Sequence, residues 1–154
     1  PHVKLIALLR DPVERAISQF FHAKRSGYEK ENIVNAVDME EERLASGSRY
    51  SHQKHSYITR SRYNEQLDRY LEIFPRNKIL IMKSETLFKQ QDEAWAKIQI
   101  FLGLEPKAKK GEIPKANKGK GESKMVDTAT REKIRKKLEN TYSIMANQYN
   151  IRWN

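Results

Sequence analysis

A chain of 154 residues fits one domain, and 38% apolar with 9% aromatic residues supports a modest buried core, which excludes a disordered tail. With 30 Lys and Arg against 20 Asp and Glu the formal charge is +10, so an anionic partner is expected: nucleic acid, a phosphorylated cofactor or a sulfated glycan. The absence of cysteine excludes disulfide scaffolds, Cys-ligated zinc and thiol catalysis, and no apolar run approaches the roughly 20 residues that span a bilayer.

Val3 to Leu9 is almost continuously apolar, which predicts a strand covered on both faces. Arg10-Asp11-Pro12-Val13-Glu14 follows at once and reads as a helix start, with Asp11 as N-cap, Pro12 at the first helical position and Glu14 in the capping-box position. Val13, Ile17, Phe20 and Phe21 recur at helical spacing, so this helix packs one stripe inward and runs to about Gly27. A second helix is expected from Asn32 to Ala45 with Glu40, Glu41 and Glu42 on its wet side, then a polar loop from Arg49 to His55. Tyr63, Leu67, Tyr70, Leu71 and Phe74 mark a third helix, closed by Pro75. Lys78 to Met82 is a second short strand, and Asp92 to Leu102 a helix with Trp95, Ile98, Phe101 and Leu102 on one face and Gly103 as its C-terminal cap.

The stretch from Lys107 to Lys137 differs in kind: 12 Lys or Arg against 4 Asp or Glu give +8 of the chain's +10. Within it, 105–126 reads as a basic Gly/Lys loop, and a helix starts at Asp127 or Thr128 with Ile134, Leu138, Tyr142, Met145 and Tyr149 on its apolar face. Strands alternating with helices imply a parallel α/β sheet. Two strands are too few for such a sheet, so the sequence reads as a truncated single domain over 1–154 that starts with a central-type strand.

The chemistry concentrates where the first strand ends. A strand closing in Arg10, followed by Asp-Pro and a helix, sets a guanidinium at the carboxyl edge of the sheet, where ligands bind in open α/β folds. Ser18 falls about 120° from the centre of the Val13, Ile17, Phe20 stripe, which leaves its hydroxyl on the helix flank. An arginine offering two hydrogen bonds and a hydroxyl offering a third make a sound phosphate grip. Arg15 is expected to face solvent and pair there. His2, His22, His52 and His55 share no ligand spacing, so no metal is expected.

Arg10-Asp11-Pro12 with Ser18 eight positions after the arginine resembles the 3'-phosphate-binding motif of the sulfotransferases that use 3'-phosphoadenosine 5'-phosphosulfate (PAPS). The ordered segments Arg60-Ser61-Arg62-Tyr63-Asn64-Glu65-Gln66-Leu67, Phe74-Pro75, Ile79-Leu80-Ile81, Ser84-Glu85-Thr86-Leu87 and Phe101-Leu102-Gly103-Leu104 are similar to those of heparan-sulfate-type and bacterial members. The resemblance implies a parallel-sheet, P-loop-NTPase-like α/β fold, of which this chain is the helix-rich C-terminal portion with two recognisable strands. It implies PAPS, or its product 3'-phosphoadenosine 5'-phosphate (PAP), as the cofactor, with no metal. Lys118-Gly119-Lys120 stands where heparan-sulfate-type members carry Lys-Gly-Arg closing over the cofactor, and lysine at 120 keeps the charge but loses the bidentate fork. Tyr63 falls where some relatives place a tyrosine near the nucleotide, although its spacing with Leu67 and Tyr70 favours a core role.

The family's 5'-phosphosulfate loop and its usual catalytic base have no counterpart here, so the catalytic groups are expected upstream of Pro1, and residues 1–154 alone are expected to transfer no sulfuryl group. The acceptor would be a glycan or another small hydroxyl or amine compound, which the sequence does not identify. Two other functions compete. One is a non-catalytic interaction domain on the same scaffold. The other is a basic nucleic-acid-binding module, disfavoured because the basic stretch lacks interleaved aromatics and a reading motif. The chain reads as soluble, without a signal or membrane segment, and as cytoplasmic if bacterial.

Overall fold

The computed structural model describes residues 3–114 and 121–153. In chain order the elements are β1 (Leu5–Leu9), α1 (Pro12–Arg25), α2 (Ile33–Asp38), α3 (Glu40–Ala45), α4 (Arg49–Lys54), α5 (Tyr63–Leu71), β2 (Ile79–Lys83), α6 (Ser84–Lys89), α7 (Gln91–Leu102), α8 (Thr128–Lys137) and α9 (Glu139–Tyr149), with short 3-10 turns at Thr59–Ser61, Arg76–Lys78 and Glu122–Met125. They form two compact units, Pro1–Arg10 with Glu65–Lys118, and Asp11–Asn64 with Gly119–Asn154.

In the first unit β1 and β2 pair in parallel, from Leu5 opposite Ile79 to Leu9 opposite Lys83, as the alternation of strands and helices predicts. β2 is mostly buried, and Met82, Leu87 and Ala94 form a core cluster against Leu80, Ile98 and Ile113. The expectation that β1 is covered on both faces is corrected: its exposure alternates, with Ile6 and Leu8 38% and 47% exposed. Side chains alternate between the two pleat faces, and among the described residues only the face carrying Leu5, Ala7 and Leu9 is sheltered. α7 is also rotated from the predicted face. Ala94 and Gln99 are its buried residues, while Trp95 and Leu102 are exposed. The buried amide of Gln99 explains the difference, because it donates to the Lys107 carbonyl and accepts from the Lys107 N–H, both at 3.0 Å. Gln91 likewise accepts from Ile113 N–H at 2.8 Å, so two glutamines of α7 tether the first part of the basic loop. Gly103 ends α7 at φ +84°, and Lys4 Nζ donates to the Phe101 carbonyl at 2.7 Å, setting a cation at the negative end of the helix.

In the second unit Asp11 caps α1 as predicted, its side chain accepting from Glu14 N–H, with Pro12 in the first turn. The Glu14 carboxylate pairs with Arg131 of α8. Val13, Ile17 and Phe20 are buried, as are Tyr57, Ile134, Leu138, Tyr142 and Met145. Four expectations are corrected here. The segment predicted as one helix from Asn32 to Ala45 is two, α2 and α3, broken at Met39. Glu40 is not on the wet side but 3% exposed, because the backbone N–H groups of residues 57–59 compensate its charge. The predicted loop from Arg49 to His55 contains α4, and the predicted C-terminal helix is two, α8 and α9, divided at Leu138.

Candidate functional site

The candidate residues Arg10 and Ser18 flank the step from β1 to α1 in the sequence. β1 ends at Leu9, Arg10 follows half-buried, and α1 begins at Pro12 under the Asp11 cap. Arg10 closes the first unit and Asp11 opens the second. Ser18 is exposed on α1 between buried Ile17 and Phe20, the flank position that its spacing predicts. Tyr63, at the start of α5, is 7% exposed with its ring centroid 6.1 Å from that of Trp153, which is the core environment its helical spacing favours. Lys118, Gly119 and Lys120 lie outside the described residues. From the same loop, Glu122 pairs with Arg25 of α1 at 3.0 Å.

The start of α1 is held by a group that motif reasoning did not identify. Tyr142 of α9 donates to Asp11 Oδ2 at 2.8 Å, and its oxygen accepts from Val13 N–H at 3.3 Å. Arg135 of α8 sits 3.4 Å from the centre of the Tyr142 ring. Burial foremost, and then the neighbouring Asp11 carboxylate, raise the Tyr142 hydroxyl above its ordinary range, so it remains a donor. The sequence shows Tyr142 only as one member of an apolar stripe.

The segment from Ser56 to Arg62 is fixed from two sides. The Glu40 carboxylate accepts from Tyr57 N–H at 2.9 Å, Ile58 N–H at 2.7 Å and Thr59 N–H at 2.8 Å. Arg15, expected to face solvent, instead donates to the Tyr57 carbonyl at 3.1 Å and to the Ser56 carbonyl and Ser61 Oγ at 3.4 Å. The correction has a simple cause. Arg15 neighbours buried Ala16 on α1, and the carbonyls of the segment supply acceptors that let a guanidinium enter a partly buried place.

A second buried carboxylate, Glu29, accepts from Tyr57 Oη and from Arg43 Nη1, both at 2.6 Å, and from Lys30 and Glu31 N–H at 2.9 and 3.0 Å. Burial alone would raise its pKa, but the hydrogen bonds from Arg43, Tyr57 and the backbone outweigh it and hold the group at about 2, below its ordinary 4.5. A depressed carboxylate stabilises the fold above its unfolded pKa and loses that contribution as pH falls through the folded one. Urea unfolding at pH 6 and pH 2.5 should therefore differ by about 3 kcal/mol from this group, with the loss beginning below about pH 4.5. Glu29→Gln, measured beside the native chain, should remove that part of the acid sensitivity.

Residues 1–146 match the family model described as the sulfotransferase domain, so the chain belongs to the sulfotransferase family. Its structure is similar to that of a sulfotransferase from Alicyclobacillus acidocaldarius, with a TM-score of 0.72 at 20% sequence identity, a likeness that shows the shared α/β fold. The match covers 98% of this chain and 56% of that one, so the chain spans little more than half the length of that relative. No curated protein sequence matches. Among the described residues no helix is long and apolar enough to cross a membrane.

Proposed function

We propose that this chain contributes the 3'-phosphate grip of a sulfotransferase that moves a sulfuryl group from PAPS to a hydroxyl or amine acceptor such as a glycan. The observation that carries the reading is the junction itself: a parallel strand that ends at Leu9, an arginine, and a helix capped by Asp11. Arg10 and Ser18 are hydrogen-bond donors suited to a phosphate, and Arg10 can serve it with two parallel N–H groups. PAPS when bound supplies the activated sulfuryl group; Arg10 and Ser18 bind and orient the nucleotide. Lys118, Gly119 and Lys120 belong to the same proposed site through the family resemblance, their lysines neutralising phosphate charge. The buried ring of Tyr63 favours a core role over contact with the nucleotide.

Calorimetric titration tests the reading. The native chain should bind PAP much more tightly than adenosine 5'-phosphate, which lacks the 3'-phosphate, and equal affinities would sink it. Ser18→Ala should weaken PAP by about 1 kcal/mol, the contribution of one neutral donor. Selective PAP binding by a full-length protein that transfers nothing across phenol, glycan and peptide acceptors would move it to a non-catalytic domain on this scaffold.

A further inference from the structure

We propose that the groove between α8 and α9 binds an anionic saccharide, with Arg135 and Lys136 holding its sulfate or carboxylate groups and Glu132 and Glu139 accepting from its free hydroxyls. The groove has a volume of about 780 Å³, and its walls include these four side chains with Tyr142 and Ser143. It lies wholly within the second unit. The four charged residues are exposed, and among the described residues none of them makes an ion pair or a side-chain hydrogen bond. Lys133, at the same groove, differs: its ammonium is taken by Asp38 of α2.

Tyr142 is what keeps cation and carboxylate apart. Arg135 Cζ sits 3.4 Å from the centre of its ring, so the planar guanidinium rests on the ring instead of turning to Glu132, one turn earlier on α8. A guanidinium donates in its own plane, and one that lies on a ring keeps those donors for a ligand beside it. The ring itself is confined, because Tyr142 is buried, its hydroxyl donates to Asp11 and Trp153 stands edge-on to it. Arg135 is thus ordered before a ligand arrives, which lowers the entropy lost on binding.

The pattern of sign names the ligand. A nucleic-acid strand presents one phosphate after another and gains from exposed rings on which its bases stack. This groove interrupts its cations with two carboxylates, and the ring of Tyr142 is already covered by Arg135. A saccharide with sulfates or carboxylates among free hydroxyls suits both: its oxyanions accept from Arg135 and Lys136, and its hydroxyls donate to Glu132 and Glu139. The site gives the acceptor class of the reading above a place on this chain and in that respect rests on it; the binding itself involves neither Arg10 nor a nucleotide.

The test titrates the full chain with a chondroitin 4-sulfate hexasaccharide, in which sulfate, carboxylate and hydroxyl groups recur together. Linear polyphosphate and a thymidine oligonucleotide of equal charge, at the same salt concentration, are the comparisons. Arg135→Ala should weaken the saccharide by about tenfold, and Arg135→Lys by less, since lysine keeps the charge without the fork. If Arg135→Ala lowers the melting temperature by uncovering Tyr142, exposed Lys136→Ala carries this arm. The decisive variant combines Glu132→Ala with Glu139→Ala. Losing two negative charges strengthens any polyanion drawn by net charge alone, so polyphosphate should bind about two- to threefold more tightly. The saccharide should instead weaken by about three- to tenfold, because its hydroxyls lose their acceptors. A saccharide that does not bind, that ignores the loss of both cations, or that binds more tightly without the glutamates overturns the proposal. So does an oligonucleotide that binds the native chain more tightly than the saccharide, which would make the groove a nucleic-acid surface. If the saccharide behaves as expected while the chain shows no preference for the 3'-phosphate of PAP, the phosphate-grip reading fails and this site stands.

Discussion

Arg10→Ala should weaken PAP binding by about 2–4 kcal/mol, the cost of deleting one side of a hydrogen-bonded charge pair, or roughly 30- to 1000-fold in Kd. The size of the effect comes from three features that coincide at this residue. It closes a parallel strand, where the sheet edge opens to ligands; it is half-buried, so a phosphate there would be partly desolvated; and its guanidinium offers two parallel donors. Arg10→Lys separates charge from geometry. A lysine restores the charge but not the fork, so it should recover only part of the affinity, whereas full recovery would show that the site reads charge alone. Affinity for adenosine 5'-phosphate should change little in either variant. Titration of both nucleotides against both variants, at one salt concentration, decides the matter; a PAP affinity unaltered by Arg10→Ala would remove the residue from the site.

What the sequence discloses, and what it hides, divides along physical lines. Local signals are legible. Asp11-Pro12 gives the start of α1, Gly103 the end of α7, and the two apolar runs the parallel pair β1 and β2. These features depend on backbone preferences of a few adjacent residues, which no distant contact has to supply. Arg10 and Ser18 are conspicuous for the same reason, since their spacing lies within one strand, one turn and one helix.

The misread features are those in which a polar side chain enters the interior. Glu40 reads as wet because carboxylates usually are, yet the N–H groups that satisfy it belong to residues 57–59, far along the chain. Arg15 is misread through the matching contact with the carbonyls of Ser56 and Tyr57. Gln99 rotates α7 from its apolar face by binding both backbone groups of Lys107. Tyr142 is placed correctly on an inward stripe, but its hydroxyl chemistry depends on Asp11, separated from it by 131 positions. Hydrophobic periodicity says which face turns inward and nothing of the acceptors and donors that wait there.

Glu40→Ala should destabilise the second unit by about 3–5 kcal/mol, the order expected when several backbone N–H groups lose a charged acceptor. Its carboxylate serves three consecutive backbone N–H groups, Oε2 taking those of Tyr57 and Ile58 and Oε1 that of Thr59. Tyr57 and Ile58 are buried, so truncation leaves donors where water does not readily replace the lost acceptor, each worth about 1–3 kcal/mol when unsatisfied. Glu40→Gln distinguishes this account from a simple loss of volume. A glutamine fills the same space and its single oxygen can still receive Tyr57 and Ile58, but its amide would set N–H against the N–H of Thr59. It should therefore fall between native and alanine. Chemical denaturation supplies the free energies, and hydrogen exchange supplies the location, since the amides of residues 57–59 should lose protection in both variants. If Glu40→Gln proves as stable as the native chain, the third hydrogen bond contributes nothing; if Glu40→Ala does too, the carboxylate is not what fixes the segment from Ser56 to Arg62, and the Arg15 contacts to the carbonyls of Ser56 and Tyr57 hold it together with the hydrogen bonds from Tyr57 to Glu29 and from Ser56 to His52.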